Sequence, residues 1–144
     1  MNGRNFEKKV KFEVLDINQA TAEDLKKVNG IGEALSDRIL KEKDKFGAFV
    51  SMEQIDAIWG LSPEVVQKIK EYFTIKVVSN VKKVNINNAS LKELTQFPYF
   101  RYALAKSIVT YRSMNGKIEN SADLIKIKGF PVEKVNFIVL YLDF

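Results

Sequence analysis

The sequence contains no cysteine and no histidine among its 144 residues. Disulfides, thiolate zinc sites, cysteine nucleophiles and every arrangement that needs an imidazole are therefore excluded, which removes most classes of enzyme. No apolar run approaches the roughly 18 residues of a membrane-spanning helix, and the first residues, MNGRNFEKKVKFEV, lack the apolar stretch of a signal peptide. We therefore expect a soluble segment without membrane contact, cytoplasmic, or extracytoplasmic if it is cut from a longer, anchored protein.

Charge is unevenly distributed along the chain. The formal net charge is +5, but residues 1–75 hold 12 basic and 13 acidic side chains, whereas residues 76–144 hold 11 basic and 5 acidic ones. A positive net charge makes nucleic acid a candidate partner without identifying it. A smaller basic cluster lies in residues 1–12, which we expect to form a flexible N-terminal segment: Arg4, Lys8, Lys9 and Lys11.

The chain contains the same unit twice. A shift of 69 residues aligns DINQATAEDL with NINNASLKEL and IWGLSPEVVQKIKEYF with IKGFPVEKVNFIVLYL, without a gap between Asp16 and Phe144. Of the 60 aligned pairs, 14 are identical. Because self-similarity at a fixed period is typical of tandem structural units, we predict two domains, residues 13–75 and 82–144, joined by a linker at 76–81.

Each unit is predicted to be all-helical, with four to five short helices. Apolar residues recur at helical spacing, and the second helix is expected to end near Gly47, which suits a left-handed cap. The single tryptophan, Trp59, lies on an apolar helix face, so we predict a core residue, with stacking on a partner as the alternative. Capping side chains mark four helix starts: Thr21 with Asp24, Ser51 with Gln54, Ser62 with Pro63, and Ser90 with Glu93.

The segment LKKVNGIGEALSDRIL, residues 25–40, places Gly-Ile-Gly after a short apolar stripe and before a helix with a small residue at Ser36. It resembles the helix-hairpin-helix motif. Together with YRSMNGKIENSADLIKIKGF in the second unit, it resembles the double helix-hairpin-helix domain of bacterial competence DNA-receptor (ComEA-like) proteins. The resemblance covers residues 16–144 and implies two tandem helix-hairpin-helix (SAM-like) domains that bind double-stranded DNA without sequence preference.

The glycines of the first hairpin have a physical interpretation. A turn that enters a helix leaves backbone N–H groups unpaired, and the helix dipole adds positive charge there, so a phosphate can bind without a basic side chain. The alternative is that the glycines only form the turn and let two helices cross closely. The resemblance implies phosphate contacts by the amides of Gly30, Gly32 and Ala34. The further predicted contacts of the first unit are Ile31, Lys43, Gly60 and Ser62.

The resemblance further implies a structural monovalent cation at this hairpin, held by backbone carbonyls. The carbonyls at the matching positions are those of Lys26, Val28 and Ile31. No other cofactor is expected.

The second unit keeps the frame of KKVNGIGEAL as TQFPYFRYAL, but Tyr99 and Arg101 replace Gly30 and Gly32. Either this unit is only structural, or a cationic and aromatic surface replaces the amide contacts. Arg112 matches an arginine of the family pattern, and a structural ion pair is its alternative role. The predicted contacts of this unit are Arg101, Lys106, Arg112, Lys128 and Gly129.

Two functions remain open at this point. The first is non-enzymatic, sequence-independent DNA binding to which both halves contribute. The second is a protein-interaction or self-association module, favoured by residues 13–75, which hold 8 basic and 12 acidic side chains. An enzyme is not expected, because the Gly-Pro-Asp segment of helix-hairpin-helix glycosylases has no counterpart and no carboxylate pair is arranged for metal-assisted hydrolysis.

Overall fold

The computed structural model describes residues 13–144; the segment expected to be basic and flexible, residues 1–12, lies outside them. Its contacts divide the chain into two compact units. Among the described residues, unit 1 consists of residues 13–42 and 51–78, and unit 2 consists of residues 43–50 and 79–144.

Unit 1 is built from short helices closed by one pair of two-residue strands. The strands β1 and β2 run parallel, with Leu15 opposite Phe73, so the first and last elements of the unit lie side by side. In chain order the elements are β1 (Leu15–Asp16), a 3-10 helix (Ile17–Gln19), α1 (Ala22–Lys26), α2 (Glu33–Phe46), a 3-10 helix (Met52–Ala57), α3 (Pro63–Tyr72) and β2 (Phe73–Thr74). The last four residues of α2 group with unit 2.

Unit 2 repeats this plan. Its strands β3 and β4 are also parallel, with Val84 opposite Leu142. The elements are β3 (Val84–Asn85), α4 (Leu91–Thr95), α5 (Tyr102–Asn115), α6 (Ser121–Leu124), a 3-10 helix (Val132–Lys134), α7 (Val135–Ile138), a 3-10 helix (Val139–Tyr141) and β4 (Leu142–Asp143). The predicted fold class, two mainly helical repeats, is confirmed.

Three helix starts have complete capping boxes, as predicted: that of Ser51 and Gln54 begins a 3-10 helix, and the other two begin α-helices. Thr21 Oγ1 accepts a hydrogen bond from the Asp24 N–H at 3.1 Å, and the Asp24 carboxylate accepts one from the Thr21 N–H at 3.0 Å. Ser90 and Glu93 form the same pair at 3.1 and 2.8 Å. The hydrogen bond from the backbone N–H of the cap residue holds the pKa of Asp24 and of Glu93 below the usual value, so both carboxylates stay ionised at neutral pH.

The two repeats differ at their last helix. In α3, Ser62 Oγ accepts from the Val65 N–H at 3.2 Å, and Pro63 occupies the first helical position, so ten residues form one uninterrupted helix. Pro131 takes the aligned position in unit 2 and provides no side-chain cap. The corresponding segment is therefore a four-residue α7 between two 3-10 turns.

The cores of the two units differ in chemistry. Unit 1 buries mainly aliphatic side chains, whereas unit 2 contains a cluster of aromatic rings in which Phe97 lies 5.8 Å from Phe46 and 5.4 Å from Tyr141 between centroids. The Tyr141 hydroxyl donates a hydrogen bond to the Ala48 carbonyl at 2.6 Å, which satisfies its only polar atom in the core. Within residues 13–144, no helix has the length and apolarity required to cross a membrane.

Candidate nucleic-acid interface

Each unit contains two hairpin turns, and all four share one backbone hydrogen bond. The carbonyl of the first turn residue accepts from the N–H of the fourth, at 2.9 to 3.4 Å. We number the hairpins 1 to 4, residues 28–32, 58–62, 97–101 and 127–131. The third turn residue is glycine with positive φ in three of them: Gly30 (102°), Gly60 (93°) and Gly129 (84°).

Hairpin 3 keeps this hydrogen bond without the glycine. Tyr99 occupies the third position, and among the described residues Asn80 is the only non-glycine with positive φ. A type II turn requires positive φ at that position, so hairpin 3 is not a type II turn and does not present its amides as hairpin 1 does. The Tyr99 ring packs inside unit 2, 5.1 Å from Phe46 and 5.5 Å from Phe137. Tyr99, at the position that glycine occupies in the other three hairpins, therefore packs against aromatic rings of unit 2.

The two hairpins of unit 1 pack against each other's helices. A Cβ at Gly30 would lie 2.8 Å from Val65 Cγ2 in the first turn of α3, and a Cβ at Gly60 would lie 3.3 Å from Leu35 Cδ2 in the first turn of α2. Each glycine thus lets a hairpin pack closely against a helix, which is the alternative role given for the glycines above. The two close contacts bring the N-termini of α2 and α3 side by side. We call residues 29–35 and 59–65 the paired-hairpin surface.

Gly32 differs from the other hairpin glycines. Its φ is not in the left-handed region, and a Cβ built there meets no atom within 4 Å. Neither the backbone conformation nor internal packing requires glycine at this position. The Gly32 carbonyl accepts the Ser36 N–H at 3.0 Å as the cap of α2. In the described part of the chain, no acceptor binds the exposed N–H groups of Gly32, Glu33 and Ala34.

Two predicted features of hairpin 1 lie at its base. Ile31 is buried and its N–H donates to the Val28 carbonyl at 3.0 Å, so this residue holds the turn and does not reach the surface. The cation expected at the carbonyls of Lys26, Val28 and Ile31 stays a prediction. No group of three or more carboxylates that could hold a metal ion occurs within residues 13–144.

Acidic side chains near the α2 N-terminus are paired with lysines. The Lys26 ammonium contacts the Glu33 carboxylate at 2.8 Å across hairpin 1, and Lys41 contacts Asp37 at 2.9 Å. The hydrogen bond that the Lys26 ammonium donates to Glu33, with the nearby charge of Glu23, raises the pKa of Lys26 above its usual value. The negative charge that the sequence places beside the hairpin amides is therefore partly compensated on the same surface.

Hairpin 2 offers fewer amides than hairpin 1. Its Ser62 hydroxyl already accepts the Val65 N–H, Pro63 has no N–H, and Leu61 donates to Ile58. Hairpin 1 therefore presents the larger set of free donors.

Trp59 is 78% exposed, so the prediction that it belongs to the core is wrong. The neighbouring Ile58 takes the core position, while Trp59 lies at the tip of hairpin 2 directly before Gly60. Arg38 Nη1 donates to the Trp59 carbonyl at 2.9 Å, and the guanidinium carbon lies 4.5 Å from the centroid of the indole ring. A cation, and not an apolar core, supports this tryptophan.

Two of the basic residues predicted in unit 2, Lys106 and Arg112, lie on helix α5; Arg101 directly precedes this helix, and Lys128 lies in hairpin 4. Lys106 and Lys128 line one open groove of about 560 Å³, and Arg101 is exposed at the start of α5, where its side chain makes no capping bond. Gly129 is exposed with open space around it. The remaining residues that line the groove include Tyr102, Thr110, Tyr111, Met114 and Lys126.

Arg112 is held by backbone carbonyls. Its guanidinium donates to the Ile86 carbonyl at 2.9 Å and to the Ala89 carbonyl at 2.5 Å, which ties α5 to the segment before α4. The observed contacts of Arg112 are therefore structural, as in its alternative role, but its partners are backbone carbonyls and not an acidic side chain. Lys43, at the aligned position of the first repeat, is half-buried near the end of α2.

Replacing Arg112 with glutamine is expected to lower the free energy of unfolding by about 2 kcal/mol, because two carbonyls lose hydrogen bonds to a charged donor. Urea denaturation followed by circular dichroism measures the change. The exposed Lys106→Gln variant on the same helix is the control and should stay within about 0.5 kcal/mol of the unchanged chain. Equal stability of the two variants would contradict the structural role of Arg112.

The sequence profile of the helix-hairpin-helix motif matches residues 10–74 and 79–142. Endonuclease/exonuclease/phosphatase family domain-containing protein 1 of Danio rerio is 27% identical over 135 residues, 82% of this chain and 24% of that protein. The Xenopus laevis protein of the same name is 24% identical over 140 residues. ComE operon protein 1 of Bacillus subtilis (strain 168) is 30% identical over 63 residues, 44% of this chain and 31% of that protein.

The chain spans about a quarter of the length of the first two of these relatives. No solved structure matches it. The likeness to ComE operon protein 1 confirms the predicted resemblance to competence proteins. Because the motif profile covers nearly the whole sequence in two copies, the chain belongs to the helix-hairpin-helix family.

Proposed function

We propose that this chain is a non-enzymatic, sequence-independent binder of double-stranded DNA. The observation that carries the proposal is the paired-hairpin surface of unit 1. There α2, a helix of 14 residues, begins beside α3, and the exposed amides of Gly32, Glu33 and Ala34 have no acceptor within the described residues. Such donors at a helix start bind phosphate oxygens.

The open space at Gly32 supports a phosphate backbone as the ligand. A side chain at this position would stand between the amides and an approaching strand, and no internal contact explains its absence. Contacts of this kind reach phosphates and not base edges, so they position a duplex without reading its sequence.

Basic side chains of unit 2 would supply the electrostatic part of the affinity. Arg101, Lys106 and Lys128 are exposed, and two of them share the groove along α5. Each phosphate neutralised by a lysine or arginine releases counterions, which the amides of unit 1 do not do. Binding would then draw on both units, with different chemistry in each.

The names of the relatives do not assign an activity to this segment, because the chain corresponds to only about a quarter of the proteins named for an endonuclease/exonuclease/phosphatase domain. ComE operon protein 1 matches over less than half of this chain. The family and the hairpin geometry therefore support the proposal more directly than any single relative.

Fluorescence anisotropy with two labelled 20-base-pair duplexes of unrelated sequence tests the proposal. We expect equal affinities for the two duplexes and a steep loss of affinity between about 50 and 200 mM salt. The Lys106→Ala/Lys128→Ala double variant should bind about three- to tenfold more weakly and reduce the slope of log K against log salt by about 2. Lys92→Ala, an exposed lysine of α4 outside the groove, is the matched control.

Absence of duplex binding at low salt would overturn the proposal. If the chain then self-associated in sedimentation experiments, and if that association weakened as salt rose, the protein-interaction hypothesis would replace it. A strong preference for one duplex sequence would overturn the sequence-independent part alone.

A further inference from the structure

Neither the fold nor the proposed phosphate contacts explain why the Trp59 side chain is exposed. It is 78% exposed, whereas the other aromatic side chains among the described residues of unit 1, Tyr72 and Phe73, are half-buried and buried. Truncating it would uncover little core, because Ile58 fills the apolar position beneath hairpin 2. A large aromatic ring that stays exposed at the tip of a hairpin has a surface on which a ligand can stack.

The ring is held in a defined position. Arg38 anchors the Trp59 carbonyl at 2.9 Å and lies 4.5 Å from the ring centroid. Gly60 lies close to the same guanidinium, so Arg38 contacts both the turn and the indole ring. With one ring face supported by the cation, the exposure of the side chain leaves the other face accessible. A flat, positioned, open aromatic face is a platform for stacking.

We propose that Trp59 stacks on an unpaired nucleobase, so that hairpin 2 favours DNA with single-stranded or unstacked bases over an intact duplex. The inference rests on the proposed DNA binding and deepens it by naming the form of DNA that this hairpin selects. Bases in an intact duplex are stacked on each other and offer no face to an indole, whereas every unpaired base has a face to offer.

The surroundings of Trp59 favour a nucleobase over a protein partner. Tryptophans at the centre of protein interfaces lie within apolar patches. Here the ring lies against the Arg38 guanidinium, and the other exposed large apolar side chains among the described residues of unit 1 are Val14, Val77 and Val78, which lie outside the hairpin sequence. The ring belongs to the paired-hairpin surface, whose free amides suit phosphates.

The test uses the fact that Trp59 is the only tryptophan of the chain. Its emission is recorded while the full chain is titrated with oligo-dT, with a blunt 20-base-pair duplex, and with the same duplex carrying a three-base bulge. Binding is followed separately by the anisotropy of a label on the DNA. We expect strong quenching with oligo-dT and with the bulged duplex, and little change when the intact duplex binds.

The variant Trp59→Ala should lose at least fivefold in affinity for the bulged duplex and for oligo-dT, while its affinity for the intact duplex changes less than twofold. Trp59→Phe should keep most of the preference, because its ring can still stack. Val132→Ala, which removes an exposed apolar side chain beside hairpin 4, is the matched control.

Three results would overturn the inference. The first is equal affinity of Trp59→Ala and the unchanged chain for the bulged duplex. The second is binding of oligo-dT, seen by anisotropy, without quenching. The third is an emission that changes with protein concentration when no DNA is present, which would assign Trp59 to self-association. Anisotropy distinguishes these from failure of the proposed function, since in that case the intact duplex would not bind.

Discussion

Replacing Gly32 with aspartate is expected to weaken duplex binding about 10- to 100-fold while leaving the fold as stable as before. The position has open space and a φ that any residue adopts, and aspartate is a preferred N-cap residue. Its carboxylate would accept the α2 amides that we assign to phosphate and would repel a phosphate from them. Loss of hydrogen bonds to a charged group costs about 1.5–3 kcal/mol, which corresponds to this range of affinity.

Gly32→Asn is the control for this prediction. Asparagine has the same shape as aspartate and also caps helices, but it carries no charge, so it should weaken binding less. Anisotropy at 50 mM salt measures affinity, and the melting temperature monitors the fold. Unchanged binding by Gly32→Asp would show that phosphates do not use the α2 N-terminus. The same test at Gly30 would be ambiguous, because a side chain there meets Val65 and strains the turn.

Replacing Gly47 with alanine is expected to lower the free energy of unfolding by about 3 kcal/mol or more. Gly47 has φ of 84°, and an added Cβ would overlap the Asn80 carbonyl oxygen and lie 2.9 Å from the Lys82 nitrogen. These are backbone atoms, held by the hydrogen bond from the Lys82 N–H to the Phe46 carbonyl at 2.9 Å, so they cannot turn aside as a side chain does. The alanine therefore combines left-handed strain with overpacking.

Gly116→Ala provides a matched control, because Gly116 is the aligned residue of the second repeat. Its φ is also 84°, but nothing lies within 4 Å of its added Cβ. This variant should show the conformational cost alone, about 1–2 kcal/mol. Urea denaturation of both variants isolates the cost of the close approach as their difference. Equal destabilisation would mean that the crossing near Gly47 relaxes without cost.

Much of the fold could be predicted from local signals. The capping pairs join side chains close in sequence, and the 69-residue period is visible in the sequence itself; the structure places helices where both indicated. The parallel strand pairs could not be predicted, because two residues carry no periodicity and their partners lie 58 residues away. The sequence shows that Pro131 replaces the capping Ser62, but it does not show that α7 is only four residues long.

The sequence indicated that the hairpins form the candidate site, but it did not show what each residue of the hairpins does. Both glycines of Gly-Ile-Gly look alike in the sequence, yet only the surroundings show that Gly30 is required by Val65 and that Gly32 is not required by the fold. Trp59 was misassigned because a helical apolar pattern does not reveal the hairpin tip, where the partner is an arginine 21 residues away. The role of Tyr99 depended on rings that only the tertiary structure brings together.

The strand pairs have a consequence for how such a chain can be extended. In each repeat the entering and leaving strands are hydrogen-bonded neighbours, Leu15 with Phe73 and Val84 with Leu142. A segment whose two ends lie side by side can be duplicated in tandem, or inserted into a surface loop of another protein, through short connections. The reason is that the two ends of such a loop are also close together, so the insertion does not separate them. The closed ends thus make the repeat a portable element, and relatives in which the matching segment is about a quarter of a longer protein accord with this.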